Sequence, residues 1–318
     1  MSIFSTRDTY KPFSYPWAFD AYKLQQQAHW LPEEIPLDND LRDYNFNLSA
    51  SEKKIVTETL RFFTQADLDV GANYMDRLIG YFHLPEIRMM LGTFASFENL
   101  HVHAYAYLSD SLNLDSNNDF YSSFTKNKAM KDKHEYLSKI HILDAEDLAL
   151  DLAIFGGFIE GVQLFSSFAI LNSFPRRNLM KGVGQIITWS IRDESLHAKS
   201  ITHLFREIIK ENPSFWNDHL KKDIYQACRD IVKLEDAFIE TCFSLGDIPG
   251  LKAEDVKKYV RYMADIRLCD LGLKANYHVK QNPLPWLDEM VSATEHGNMF
   301  ETRITTYSKG AIVDDLKR

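Results

Sequence analysis

Two Glu-x-x-His patterns, Glu98-Asn99-Leu100-His101 and Glu194-Ser195-Leu196-His197, each lie on the apolar stripe of a long helical pattern, and the chain holds no others. The first stripe reads Ile87, Leu91, Phe94, Glu98, His101, Tyr105, Leu108; the second reads Val183, Ile187, Ser190, Glu194, His197, Ile201, Leu204, Ile208. Steps alternating between three and four mark the inward face of a packed bundle helix, so both faces carry a carboxylate and an imidazole toward a core. Burying such groups without partners costs on the order of several kcal/mol. A bundle built from these helices needs something inside it that satisfies them.

Two further acids sit on apolar stripes. Ser49 and Glu52 form a capping-box pattern that opens a helix predicted to reach about Phe82, with Val56, Leu60, Phe63, Asp67, Val70 and Tyr74 inward. Asp69, about 200° round from Asp67, falls on the other side. A helix predicted from about Asp144 to Asn172 turns Ala149, Ala153, Gly157, Glu160, Leu164, Phe168 and Leu171 inward. Gly156, Gly157 and Gly161 are unusual inside it, each costing about 1 kcal/mol relative to Ala, and they predict close helix contact or a local distortion beside Glu160.

Asp67, Glu98, Glu160 and Glu194 thus come from four helices, and His101 and His197 follow two of them at i+3. One acid from each of two helices and Glu-x-x-His from each of the other two is the arrangement of a carboxylate-bridged di-metal centre, here with Asp in the first place. Lys and Arg are nearly absent from these stripes, so ion pairing cannot absorb four acids. Four carboxylates can neutralise two divalent cations while each imidazole supplies a nitrogen. Hard oxygen and imidazole without thiolate favour iron or manganese, with zinc admitted on affinity grounds. A lone Glu-x-x-His would arise by chance in a helix-rich chain; two of them beside two more stripe acids point to metal. Tyr105, four residues after His101 and seven after Glu98, projects over the same face, whereas His103 and Tyr107 point elsewhere. Beside a redox-active metal pair, with Leu164 and Phe168 near, it reads as a protected one-electron redox tyrosine.

The rest of the chain frames this site. No Ser/Gly-rich or Pro-rich linker divides the 318 residues, so they are expected to form an arm (1–48), one helical domain (49–298) and a flexible tail (299–318). Ser109 to Lys133 reads as an exposed polar segment, Pro175 as the opening of the next helix, and Ser214 to Phe243 and Ala253 to Val279 as two closing helices. A net charge of −9 argues against nucleic acid as a partner. Cys228, Cys242 and Cys269 contain no Cys-x-x-Cys, which argues against disulfides and zinc-thiolate sites and suits the cytoplasm. Residues 1–10 lack a signal-peptide core, and the one span-like stretch, Leu148 to Phe174, is interrupted by Asp151, Glu160 and Gln163, so a buried helix rather than a membrane is expected.

Over most of its length the chain resembles the small, radical-generating subunit of class I ribonucleotide reductase. The resemblance rests on Phe62-Phe63-Thr64-Gln65-Ala66-Asp67, Glu98-Asn99-Leu100-His101 with Tyr105, the Glu160 helix, Arg192-Asp193-Glu194-Ser195-Leu196-His197 and Asn282-Pro283-Leu284-Pro285-Trp286. It implies an all-α, ferritin-like helical bundle with a di-metal carboxylate core. It implies that Asp67, Glu98, His101, Glu160, Glu194 and His197 hold the metals, iron first, with manganese-iron and di-manganese pairs also admitted. By the same resemblance Tyr105 matches the radical tyrosine, Trp30 the electron-relaying tryptophan, Asp193 the acid linking it to a metal histidine (here His101), and Tyr307 the tail tyrosine. A homodimer is implied, as is a large catalytic subunit docked through the tail. The tail is shorter and less apolar than the family's, and Ser190 is polar where the family often has an apolar side chain. The alternatives are another ferritin-like di-iron protein, such as an oxygenase, desaturase or ferroxidase, and a non-enzymatic helical module with a structural metal. Tyr105 and Tyr307 discriminate against the first of these.

Overall fold

Local chemistry starts the helices where the sequence places the starts. In a computed structural model, which describes residues 2–115, 119–138 and 142–290, the Ser49 hydroxyl accepts from the Glu52 N–H and the Glu52 carboxylate accepts from the Ser49 N–H. That reciprocal cap opens one of ten α-helices: α1 (Pro16–Gln27), α2 (Asp38–Arg42), α3 (Ala50–Ala72), α4 (Pro85–Ser111), α5 (Lys128–Ser138), α6 (Ala145–Ile154), α7 (Phe165–Asn172), α8 (Lys181–Glu211), α9 (Asp218–Cys242) and α10 (Ala253–Asp270). No strand forms among the described residues. The helical path of α3 continues through a wide π turn, Asn73–Leu78, and a 3-10 turn, Ile79–Tyr81, so it ends close to the expected Phe82. The core of the bundle is α3 packed on α4, with α8 closing against the stretch between α6 and α7.

That stretch, Phe155–Gln163, is a π-helix, and the backbone stays right-handed helical at both junctions, Ile154 on the α6 side and Leu164 on the α7 side. Its glycines meet both expectations placed on them. A Cβ on Gly156 would lie 2.5 Å from Ile201 Cγ2 of α8, and one on Gly161 would lie 2.6 Å from Arg267 Nε of α10, so neighbouring helices approach the bare backbone. Arg267 Nε uses that closeness to donate to the Gly161 carbonyl at 3.2 Å. The apolar run Ala145–Arg177 is long enough to cross a membrane, yet 94% of its most apolar window is buried in the protein's own core.

Three expectations are corrected. Pro175 opens only a 3-10 turn, Pro175–Arg177; Asn178 and Met180 then take left-handed backbone, and α8 begins at Lys181. The reason lies far away in sequence, because Asp40 accepts from the Gly182 and Val183 N–H groups at 3.1 and 2.8 Å and Asp43 accepts from Met180 at 2.9 Å. α10 stops at Asp270 instead of Val279, because the Asp265 carboxylate gathers the N–H groups of Asn276, Tyr277 and Val279 into a loop. The segment from Ser109 to Lys133 is not uniformly exposed. Ser109, Phe120, Phe124, Met130 and Lys133 are buried, and the Lys133 ammonium lies 2.5 Å from the Glu235 carboxylate and 3.4 Å from the centre of the Phe62 ring. An ion pair and an aromatic face together carry a lysine into the core.

The N-terminal residues pack on one end of the bundle, where α4 begins and α8 ends, and Tyr15 bridges the two, its N–H to Glu86 and its hydroxyl to Glu211. Glu86, in the first turn of α4, accepts from the Ser14 and Tyr15 N–H groups at 2.7 and 3.1 Å, and Glu211, at the end of α8, accepts from the Ser2 hydroxyl and the Ile3 N–H. Residues 291–318, which include Tyr307 and the whole expected tail, lie outside the described residues.

Candidate metal centre

α3 supplies Asp67, α4 supplies Glu98 and His101, the π segment supplies Glu160, and α8 supplies Glu194 and His197. The structure brings all six together, none more than 1% exposed. They form two quartets, Asp67/Glu98/His101/Glu194 and Glu98/Glu160/Glu194/His197, with ligand atoms within 4.8 Å of one another in each. Glu98 and Glu194 belong to both. His101 Nδ1 lies 3.0 Å from Glu194, 3.4 Å from Glu98 and 3.8 Å from Asp67, while His197 Nδ1 lies 2.8 Å from Glu98 and 3.8 Å from both Glu160 and Glu194.

These atoms are buried and unsatisfied. Among the described residues, both oxygens of Asp67, Glu98 and Glu194, Oε2 of Glu160 and Nδ1 of each histidine make no hydrogen bond. Each such group costs about 1–3 kcal/mol when left alone, more when charged, so the arrangement fits a pair of divalent cations held by oxygen and imidazole. Crowding shows in the acidities. Burial, then the charge of Glu98, raises Asp67 well above the usual carboxyl range; burial, then Glu194, does the same for Glu160; burial, then Glu98, raises Glu194. Burial also pushes Glu98 upward, but His101 and His197 beside it outweigh this and lower it. Two cations would relieve the mutual repulsion that drives three of these acids toward protonation.

Behind His101 runs a chain of hydrogen-bonding groups. Its Nε2 faces Asp193 Oδ2 at 3.4 Å, and the same oxygen accepts from Trp30 Nε1 at 2.8 Å. Burial alone would depress His101, yet Asp193, Glu194 and Glu98 raise it well above its ordinary value. Arg192 donates through Nε and Nη2 to Asp193 Oδ1 at 3.1 and 3.0 Å and through Nη2 to the Ala28 carbonyl at 2.6 Å, so it locks the acid to the loop that carries Trp30. Trp30 is 3% exposed.

Tyr105 is wholly buried, with its ring stacked on Phe63 at 4.5 Å and Phe63 in turn on Phe168 at 5.1 Å. Its hydroxyl makes no hydrogen bond among the described residues. Burial and then the charge of Asp67 hold the phenol well above its ordinary pKa, and the buried Ser190 hydroxyl, which donates to the Ile186 carbonyl at 3.2 Å, works in the opposite sense. His103 turns outward to Glu33 at 3.0 Å, and Tyr107 donates to the Ile35 carbonyl at 3.3 Å. Sequence reasoning assigned no role to Arg192 or to Tyr74, whose hydroxyl donates to Glu160 Oε1 at 2.5 Å. A signal existed for Tyr74: it follows Asp67 by seven residues on one stripe, as Tyr105 follows Glu98.

With that geometry in view, residues 7–283 match the family model described as ribonucleotide reductase, small chain. The chain is 39% identical to a probable ribonucleoside-diphosphate reductase small subunit of Invertebrate iridescent virus 3, across 99% of this chain and 88% of that protein. The chain belongs to the ribonucleotide reductase small-chain family. Solved structures share the fold: a ribonucleotide reductase R2 subunit from Clostridium botulinum (TM-score 0.84, 22% identity, 92% of this chain and 94% of that one) and the dimanganese(II)-NrdF of Streptococcus sanguinis (TM-score 0.79, 22% identity, 91% and 100%). The ten helices thus build the ferritin-like body of a ribonucleotide reductase small chain, and the two quartets lie at its heart.

Proposed function

We propose that this small chain is the radical-generating subunit of a class I ribonucleoside-diphosphate reductase, supplying a large catalytic subunit with the oxidising equivalent for reduction of ribonucleotides to deoxyribonucleotides. The observation that carries the reading is the joint burial of two ligand quartets, rich in unsatisfied oxygens, with Tyr105 packed against one of them. Two redox-active metal ions held there would draw on oxygen to supply the oxidising power that takes an electron from Tyr105. The chain's own residues do the rest. Asp67 and His101 complete one quartet, Glu160 and His197 the other, and Glu98 and Glu194 serve both. Phe63 and Phe168 exclude water from the Tyr105 ring. Asp193 accepts from Trp30 and faces His101, so it supports a relay of electron and proton between the indole and the centre.

Iron is the first expectation for both ions, and the dimanganese state of the Streptococcus sanguinis neighbour supports manganese as the second. The family membership supports a partnership with a large subunit. Docking through residues 299–318, a radical hand-over at Tyr307, homodimer formation and a cytoplasmic setting complete the reading. No role with nucleic acid or membrane is proposed. A ferritin-like oxygenase or ferroxidase is disfavoured by the family match and by the enclosed Tyr105. The deciding experiment is electron paramagnetic resonance of the iron-loaded, oxygen-exposed protein. Wild type is expected to show a tyrosyl signal, and Tyr105→Phe to lose it while keeping its metal; a signal unchanged in the variant would sink the assignment of Tyr105.

A further inference from the structure

Among the four carboxylates of the centre, Glu160 alone receives a hydrogen bond within the described residues, and it comes from Tyr74. Asp67, Glu98 and Glu194 receive none. Glu160 also stands on the least conventional backbone of the six, a π-helix with Gly157 and Gly161 on either side. A metal site works only when its ligands are held in orientation, and for a buried carboxylate that hold comes from a hydrogen bond made by a neighbouring element. Tyr74 is built to hold it. The residue lies in the π turn that ends α3, is wholly buried, and has its ring fixed edge-on by Phe155 at 5.0 Å, Phe94 at 6.1 Å and the imidazole of His197 at 6.1 Å. It therefore touches two members of one quartet, Glu160 by hydrogen bond and His197 by ring contact.

The two quartets are supported differently. In the first, the outside support falls on the histidine, through Asp193 on His101. In the second, no hydrogen bond from the described residues reaches His197 Nε2, and the support falls on the carboxylate. We propose that Tyr74 is a positioning residue for Glu160, holding that carboxylate toward Glu98, Glu194 and His197 and so setting the metal affinity of that half of the centre. This rests on the reading of the quartets as metal sites. It assigns to the phenol a role distinct from that of Tyr105, which makes no hydrogen bond and packs against the other half.

The test is anaerobic titration of the full-length, metal-stripped protein with Mn(II), following free Mn(II) by its paramagnetic resonance. Wild type is expected to take up two ions per chain. Tyr74→Phe, which removes one oxygen and keeps the ring, is expected to keep one ion at wild-type affinity and to bind the other roughly tenfold or more weakly, the effect typical of losing a group that orients a ligand. Asp193→Asn, acting on the other quartet, should weaken the complementary ion. Two ions bound by Tyr74→Phe with wild-type affinities, or both weakened alike, would overturn the role of Tyr74. Wild type that took up no manganese would instead overturn the metal-site reading, and the role of Tyr74 with it. Should Tyr74→Phe fail to fold, the manganese-loaded wild-type crystal structure decides: Glu160 on the metal and still bonded to Tyr74 supports the proposal, and Glu160 turned away from the phenol refutes it.

Discussion

Asp151 on α6 has its carboxylate buried beside Arg77, 3.0 Å away, and burial raises its pKa to about 6 against the lowering pull of Arg77 and of Asn73. An acid whose folded pKa exceeds its unfolded value contributes its stability fully below the unfolded value and loses it as pH rises through about 6. Asp151→Asn keeps an acceptor for Arg77 and removes the titration. Urea unfolding near pH 5 and near pH 7.5 should therefore show the variant gaining about 1 kcal/mol on wild type across that interval; parallel profiles would contradict this. Much at this scale could be read from sequence, because a polar residue on an apolar stripe announces itself. Asp67, Glu98, Glu160 and Glu194 were legible in that way, and so was the buried position of Tyr105. Arg192 was not, since its partners Asp193 and Ala28 are an immediate neighbour and a residue 164 positions away, and no periodicity links them.

Helices obey a mixture of local and remote rules. The start of α3 is written in Ser49 and Glu52, and the start of α4 in Pro85, so both were legible. The start of α8 depends on Asp40 and Asp43, which no local pattern connects to Gly182, so Pro175 misled. The glycines of the π segment signalled a distortion without stating its kind. Their spacing yields a contrast between two substitutions. Gly156→Ala drives a methyl against the β-branched Ile201 side chain of α8, whereas Gly161→Ala meets chiefly the flexible side chain of Arg267, with the Gly156 carbonyl at 3.0 Å. The first should cost about 1–3 kcal/mol and the second less, read by thermal unfolding. Because Glu160 follows four residues after Gly156, the first variant should also bind less metal per chain. Equal melting temperatures for the two variants would mean that the α8 contact is looser than its geometry.

For the molecule as a whole, the all-α architecture followed from stripe periodicity, and the meeting of Asp67, Glu98, His101, Glu160, Glu194 and His197 in one buried cluster followed from their places on those stripes. The pairing of Lys133 with Glu235 did not follow, because a lysine in a polar segment gives no sign of the acid that waits for it on α9. A centre made of buried, mutually repelling acids has a thermodynamic corollary. Iron(II) or manganese(II) under anaerobic conditions should raise the melting temperature by about 5 °C or more at saturating excess, and a chelator should reverse the rise. A melting point indifferent to both metals would contradict the site.

The six candidate ligands are also sealed, with none of them more than 1% exposed. An ion can reach or leave such a place only when α3, α4 or α8 moves aside, and openings of that kind are rare events whose frequency is set by the stability of the fold. Exchange would then proceed no faster than those openings occur. The ions a molecule carries would record what was at hand when the bundle last opened.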